Sequence, residues 1–176
     1  MRRWLAFVLA ALLLAGIHEG AHALTSALYG EYGSFTVRPY GAMEVIYRTS
    51  VEAREGAHWA VISGTSNLLT LALGYLLLAL SERLARLRVA LIRGWVYYLT
   101  LLALLADALN LSLGPFLYGG DANGIAFGLG VSRYIVQGVF LIVLLLNREL
   151  VAQKLLPRYG VQTSNLLLRP WLRRAA

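Results

Sequence analysis

His18-Glu19-Gly20-Ala21-His22 places two of the chain's three histidines four residues apart, with a glutamate directly after the first. On an α-helix, positions i and i+4 share a face about one turn apart, so both imidazoles can hold a single metal ion. Each residue turns the helix by about 100°, which sets Glu19 about 100° from His18 and about 60° from His22. Its carboxylate can then reach a water on the ion without being a ligand itself. Such a constellation does hydrolytic chemistry, in which the ion activates the water and the carboxylate takes its proton. The chain has no cysteine, which excludes disulfides, thiolate zinc sites and a cysteine nucleophile. Any metal must be held by histidine, carboxylate or amide groups.

The motif lies in an apolar run, where ionisable side chains are costly and therefore mark function by default. The whole chain shares that texture. It has 176 residues, 59% hydrophobic and 14% charged, with mean hydropathy +0.63. Soluble domains are about 45–50% apolar and 25% charged, so this is a membrane composition. At about 20 apolar residues per crossing, four spans are expected, at about 4–29, 59–80, 91–113 and 128–146. The second carries no charge; the third is interrupted by Arg93 and Asp107, the fourth by Arg133. Trp4, Trp59, Trp95, Tyr97 and Tyr98 sit near span ends, as interfacial aromatics do.

Met1-Arg2-Arg3, the following apolar run and Ala21-His22-Ala23 also have the layout of a cleavable signal peptide. Apolar residues continue through Leu24, Ala27 and Leu28, and Glu19 is awkward so near a cleavage site. The segment is expected to remain as the first span.

Between the first two spans, residues 32–48 are rich in β-formers. Phe35 and Val37 alternate with Ser34 and Thr36, and Val45 and Tyr47 with Glu44 and Ile46, around Arg38-Pro39-Tyr40-Gly41 as a turn. This predicts a β-hairpin at the membrane surface, either a packed loop or an edge that pairs with an extended substrate. The fold class expected is an all-α polytopic membrane protein, one domain over residues 1–176, with about four transmembrane helices and a short β-hairpin after the first.

The formal charge is +7. The arginines flank apolar spans, as in the segment 81–88 and in Arg169, Arg173 and Arg174, rather than forming a soluble basic face. The partner they suit is the lipid bilayer with its anionic headgroups, not nucleic acid.

A catalytic zinc site commonly has three protein ligands plus water. Between the second connection and the fourth span the acidic residues are Asp107 and Asp121, the latter within Tyr118-Gly119-Gly120-Asp121-Ala122-Asn123-Gly124. Asp121 is the first candidate and Asp107 the reserve, with a buried polar role in the bundle as its other reading. His58, at the entrance to the second span, is held as an interfacial histidine and a further reserve ligand.

These residues resemble the site-2 protease family of intramembrane zinc metalloproteases, particularly its small, divergent prokaryotic branch. That family pairs H-E-x-x-H in its first core helix with an aspartate in an N-x-x-P…D-G stretch at the third. Here stand Asn110-Leu111-Ser112-Leu113-Gly114-Pro115 and then Gly119-Gly120-Asp121-Ala122, close to the G-S-D-A form of divergent members. The family's A-G-P-x-x-N is echoed by Ser63-Gly64-Thr65-Ser66-Asn67, without the proline. The resemblance covers roughly residues 10–130. It implies one zinc per chain on His18, His22 and Asp121, Glu19 as general base, and Asn67 orienting substrate or stabilising charge near the scissile carbonyl. The implied activity is that of a zinc metalloendopeptidase acting on single-span membrane proteins or remnant peptides in a prokaryotic cell membrane. Two rivals use the same residues: a membrane metal-binding or metal-transport protein, and a catalytically silent family member.

Four spans put both termini and the second connection on one face. Twelve lysines and arginines fall there and four, Arg38, Arg48, Arg54 and Arg133, on the other. The positive-inside rule therefore predicts cytoplasmic termini, with the hairpin and Asp121 towards the outside. The resembled family more often opens its site to the cytoplasm.

Overall fold

The computed structural model describes residues 2–39, 41–117 and 120–172. Tyr40 of the predicted turn, Tyr118 and Gly119 before Asp121, and the basic Arg173 and Arg174 lie outside them. The elements run α1 (Arg2–Leu28), β1 (Tyr32–Val37), β2 (Met43–Tyr47), α2 (His58–Ala79), α3 (Ser81–Leu84), α4 (Ala90–Ser112), α5 (Asp121–Leu129) and α6 (Arg133–Leu150). A single π-helical turn, Val151–Leu155, carries α6 on to Arg158. Four helical segments, 2–28, 58–79, 90–116 and 133–158, are long and apolar enough to cross a membrane. The fold is the expected helical bundle with an antiparallel hairpin after the first span.

Helix α4 is the hub, packed against α1, α2 and α6. Its buried residues Val96, Leu99, Ala103, Leu104, Asp107, Ala108 and Leu111 recur at three and four positions and so form one face. Opposite them on α1 stand Ala6, Ala10 and Leu14, all buried. Lipid tails are as apolar as leucine, so helices in a bilayer associate by close packing, and small residues such as these alanines let backbones approach. The aliphatic side chains of Val8, Leu9, Leu12, Leu68, Leu76, Ile142 and Leu146 face outward. On a helix surrounded by acyl chains that exposure costs nothing.

The fourth span needs a correction. It begins at Arg133, not near residue 128, and reaches Arg158. Residues 121–129 form the separate helix α5, closed by Gly130 at φ 65°, and Ser132 then caps α6 by accepting a hydrogen bond from Tyr134 N at 3.3 Å. The signal for the break was Gly130 and Ser132, a helix-ending glycine and a capping serine beside Arg133, which the apolar composition of the run overshadowed.

Helix α5 does not cross. It lies on α2 through Gly124 and Gly128, a small-xxx-small pair. A Cβ at Gly128 would sit 2.2 Å from Ala60 N, and one at Gly124 2.0 Å from Ser63 Oγ. Only glycine allows this contact, and it sets where the first residue of α5, Asp121, is presented. The segment after α6 is also tied down. Arg148 pairs with Glu149 and donates to the backbone carbonyls of Leu167 and Arg169, with its guanidinium 3.8 Å above the Trp171 ring.

Candidate metal centre

Four helices and one strand meet around the histidine pair. Helix α1 supplies His18, Glu19 and His22. Helix α2 contributes a polar stripe, Ser63, Ser66, Asn67 and Thr70, all buried and spaced three and four apart. Asp107 comes from α4, Asp121 from α5, and Val45 and Tyr47 from β2.

Three ligand atoms form a nearly equilateral triangle. His18 Nε2 and His22 Nε2 are 3.2 Å apart, and Asp121 Oδ2 is 3.3 Å from each. A tetrahedral ion with bonds of about 2.0–2.1 Å sets its ligands about 3.3 Å from one another. The donors are thus spaced as the corners of such a site. His18, His22 and Asp121 form the cluster able to hold a metal ion among the described residues.

The far edge of each ring is committed elsewhere. His22 Nδ1 is 2.9 Å from the carbonyl of Ile62, which can only accept, so Nδ1 carries the proton and Nε2 is left with its lone pair. His18 Nδ1 is 3.2 Å from Asp107 Oδ1. Asp107 in turn accepts a hydrogen bond from Thr70 Oγ1. A carbonyl or carboxylate behind a ligating histidine is the usual device that fixes its tautomer and ring orientation. Of the two readings of Asp107, the geometry gives a buried carboxylate behind His18 rather than a member of the triangle.

Asn67 is fully buried. Its Nδ2 donates to Asp121 Oδ2 at 3.0 Å and to Ser63 O at 2.8 Å, so its amide is engaged with the ligand carboxylate. Ser66 Oγ lies 2.8 Å from His22 Nε2, at the face where the triangle closes. His58 is elsewhere. It stands 3.6 Å from Glu31 Oε1 and packs against Tyr29 and Trp59.

Glu19 lies to one side of the triangle and accepts a hydrogen bond from Val45 N at 3.2 Å. Because Val45 N–H points at α1, it points away from β1. By the period of two along a strand, Met43, Val45 and Tyr47 therefore turn their backbone groups to the unpaired edge of β2. The edge faces the site. Tyr47 also brings its ring edge-on to His22, with centroids 6.5 Å apart. Burial, with the Asp121 and Glu19 carboxylates nearby, holds its phenol above the usual tyrosine range, so it stays a neutral donor.

The donor set fits a divalent cation. Asp107, Asp121 and Glu19 bring three carboxylates to two imidazoles, and the ion pairs that Asp107 and Asp121 make among the described residues are with these histidines. Negative charge gathered in a low dielectric needs such compensation. Compared with protein-family models, curated proteins and solved structures, the chain gives no match.

Tyr47, Ser66, Thr70 and the Ile62 carbonyl were not found from the sequence. The recurrence of Ser63, Ser66, Asn67 and Thr70 along an otherwise apolar span is the signal that could have marked the polar stripe.

Proposed function

We propose that the chain is an intramembrane zinc metalloprotease of the site-2 protease type, hydrolysing peptide bonds of membrane-embedded protein or peptide substrates. The observation that carries this reading is the equal spacing of His18 Nε2, His22 Nε2 and Asp121 Oδ2 beside a glutamate that is not one of the three. Histidine and carboxylate donors at that spacing suit zinc. When bound, zinc supplies a Lewis acid that activates water and polarises the scissile carbonyl.

Glu19 takes the proton of the attacking water as its oxygen bonds to the carbonyl carbon. It then delivers that proton to the departing amide nitrogen as the C–N bond breaks, leaving a carboxylic acid and an amine. Val45 N–H fixes the carboxylate in place for the first of these transfers. The open edge of β2 offers the backbone groups of Met43 and Tyr47, and the carbonyl of Val45, to an unwound, extended substrate segment. Tyr47, whose ring lies edge-on to His22, would donate its phenol hydrogen to charge that develops on the carbonyl oxygen.

The test is Glu19→Gln, which preserves shape and removes the base. Purified protein should keep its zinc and lose at least about 100-fold in cleavage of a single-span model substrate, as expected for loss of a general base. Cleavage at the wild-type rate would overturn the assignment, and loss of zinc would show Glu19 to be a ligand.

A further inference from the structure

The ends of α1 and α4 opposite the hairpin enclose, with the segment after α6, a cavity of about 650 Å³. It is lined by Arg2, Arg3 and Arg93 and by Tyr97, Tyr98 and Tyr159, and among the described residues by no acidic one. Arginine–carboxylate pairs among the described residues belong to Arg38, Arg148 and Arg158, so none offsets these three guanidiniums. The floor is a close helix crossing, since a Cβ at Gly94 would meet that of Ala6 at 3.5 Å. The wall is a run of aromatic rings, Tyr98, Tyr97 and Tyr159, with successive centroids 5.0 and 5.1 Å apart. The Tyr159 hydroxyl is shut away from solvent and has no hydrogen-bond partner among the described residues.

We propose that this cavity binds the phosphate of an acidic phospholipid headgroup. Guanidinium forks match phosphate oxygens in pairs, and three like charges at one mouth are relieved by a shared anion. The hydroxyls of Tyr97 and Tyr98 add donors for the same oxygens or for headgroup hydroxyls. The volume lies within the range of pockets that hold small ligands. A lipid rather than a soluble phosphate follows from the cavity's neighbours. Trp4, Leu5 and Ile92 are exposed beside it and lie along the spans, where acyl chains attached to the headgroup would run. The site is independent of the metal centre, which lies towards the other end of α1.

The full chain, purified in a mild detergent, is mixed with dioleoylphosphatidylglycerol, with dioleoylphosphatidylcholine or with inorganic phosphate. Native mass spectrometry counts bound lipid, and thermal unfolding reads stabilisation. One phosphatidylglycerol per chain should be retained and should raise Tm, while phosphatidylcholine and phosphate should do neither. The double variant Arg3→Gln/Arg93→Gln should weaken phosphatidylglycerol binding at least about tenfold. The pair Arg83→Gln/Arg86→Gln, which removes as much charge from the same face outside the cavity, should leave it unchanged. Should the first variant not fold, Arg93→Lys keeps the charge, removes the fork and should still weaken retention. Equal loss in both double variants, or equal binding of phosphatidylcholine, would overturn the site. Stabilisation by inorganic phosphate alone would overturn its assignment to a lipid.

Discussion

Asp107 Oδ1 lies 3.2 Å from His18 Nδ1, on the ring edge away from the one that meets Asp121. The two aspartates therefore have different tasks around one imidazole. Asp121 completes the triangle of donor atoms with the two histidines, and Asp107 orients the His18 ring from behind. Residues behind a ligand typically change metal affinity by about 10–100-fold when removed. Asp107→Asn should weaken zinc binding within that range, measured by competition with a chromophoric chelator, whereas Asp121→Ala should remove high-affinity binding. Indistinguishable losses would place both aspartates on the ion.

Tyr47→Phe removes one hydroxyl and leaves the ring between His22 and Trp59. If the phenol donates to the developing oxyanion, kcat on a model transmembrane substrate should fall by about 10²–10³ with KM and zinc content little changed. The phenol's raised pKa keeps it protonated, so Tyr47 should contribute no alkaline limb to the rate profile below about pH 10. An unchanged kcat would remove Tyr47 from the chemistry.

Gly128→Ala should displace α5 and with it Asp121. The added carbon would meet a backbone nitrogen 2.2 Å away, and backbone cannot rotate aside as a side chain can. Overpacking of this kind costs about 1–3 kcal/mol. Lower Tm together with weaker zinc binding is expected. Gly138→Ala on α6, where an added Cβ meets nothing within 4 Å, is the matched control and should be tolerated. Full zinc affinity in the Gly128 variant would mean that Asp121 is placed by something other than this contact.

Sidedness can be read with single cysteines, since the chain has none of its own. Ser34 on β1 and Glu82 on α3 are both exposed and belong to opposite faces of the bundle. The charge distribution predicts that cysteine at Ser34, not at Glu82, reacts with an impermeant thiol reagent in intact cells. Ser81 is unsuitable for the same purpose because it is buried, with its hydroxyl held by Arg158 at 2.6 Å. The reverse labelling pattern would turn the site to the cytoplasm.

What could be read from the sequence was whatever is periodic or local. The histidine pair is a local motif, and its four-residue spacing already implies that both rings share a helix face. Long apolar runs announced the spans, and alternation announced the hairpin. The end of α5 was missed because its signals, Gly130 and Ser132 beside Arg133, are single residues within a run read for its length and apolar composition. The pairing of Asp107 with His18 joins residues 89 positions apart on two helices, and nothing in either local sequence states it. The same holds for Val45 and Glu19, whose contact depends on which edge of β2 is left unpaired.

His18 stands ten residues before the end of α1 at Leu28 and sixteen after its start at Arg2. At about 1.5 Å per residue these are about 15 and 24 Å of helix. In a hydrocarbon core about 30 Å thick, His18 is near mid-depth and His22, one turn on, is nearer the hairpin face. A cation arriving from the hairpin face would then fall through at most about half of the transmembrane voltage. For a divalent ion that upper limit equals one elementary charge carried across the whole membrane, about 2.3 kcal/mol per 100 mV. Zinc uptake by the chain in liposomes held at opposite potentials should differ accordingly, and equal uptake would mean that aqueous access flattens the field at the site. With the hairpin outside a cell whose interior is negative, the membrane's electrical energy helps load the ion, and collapse of the potential withdraws that help.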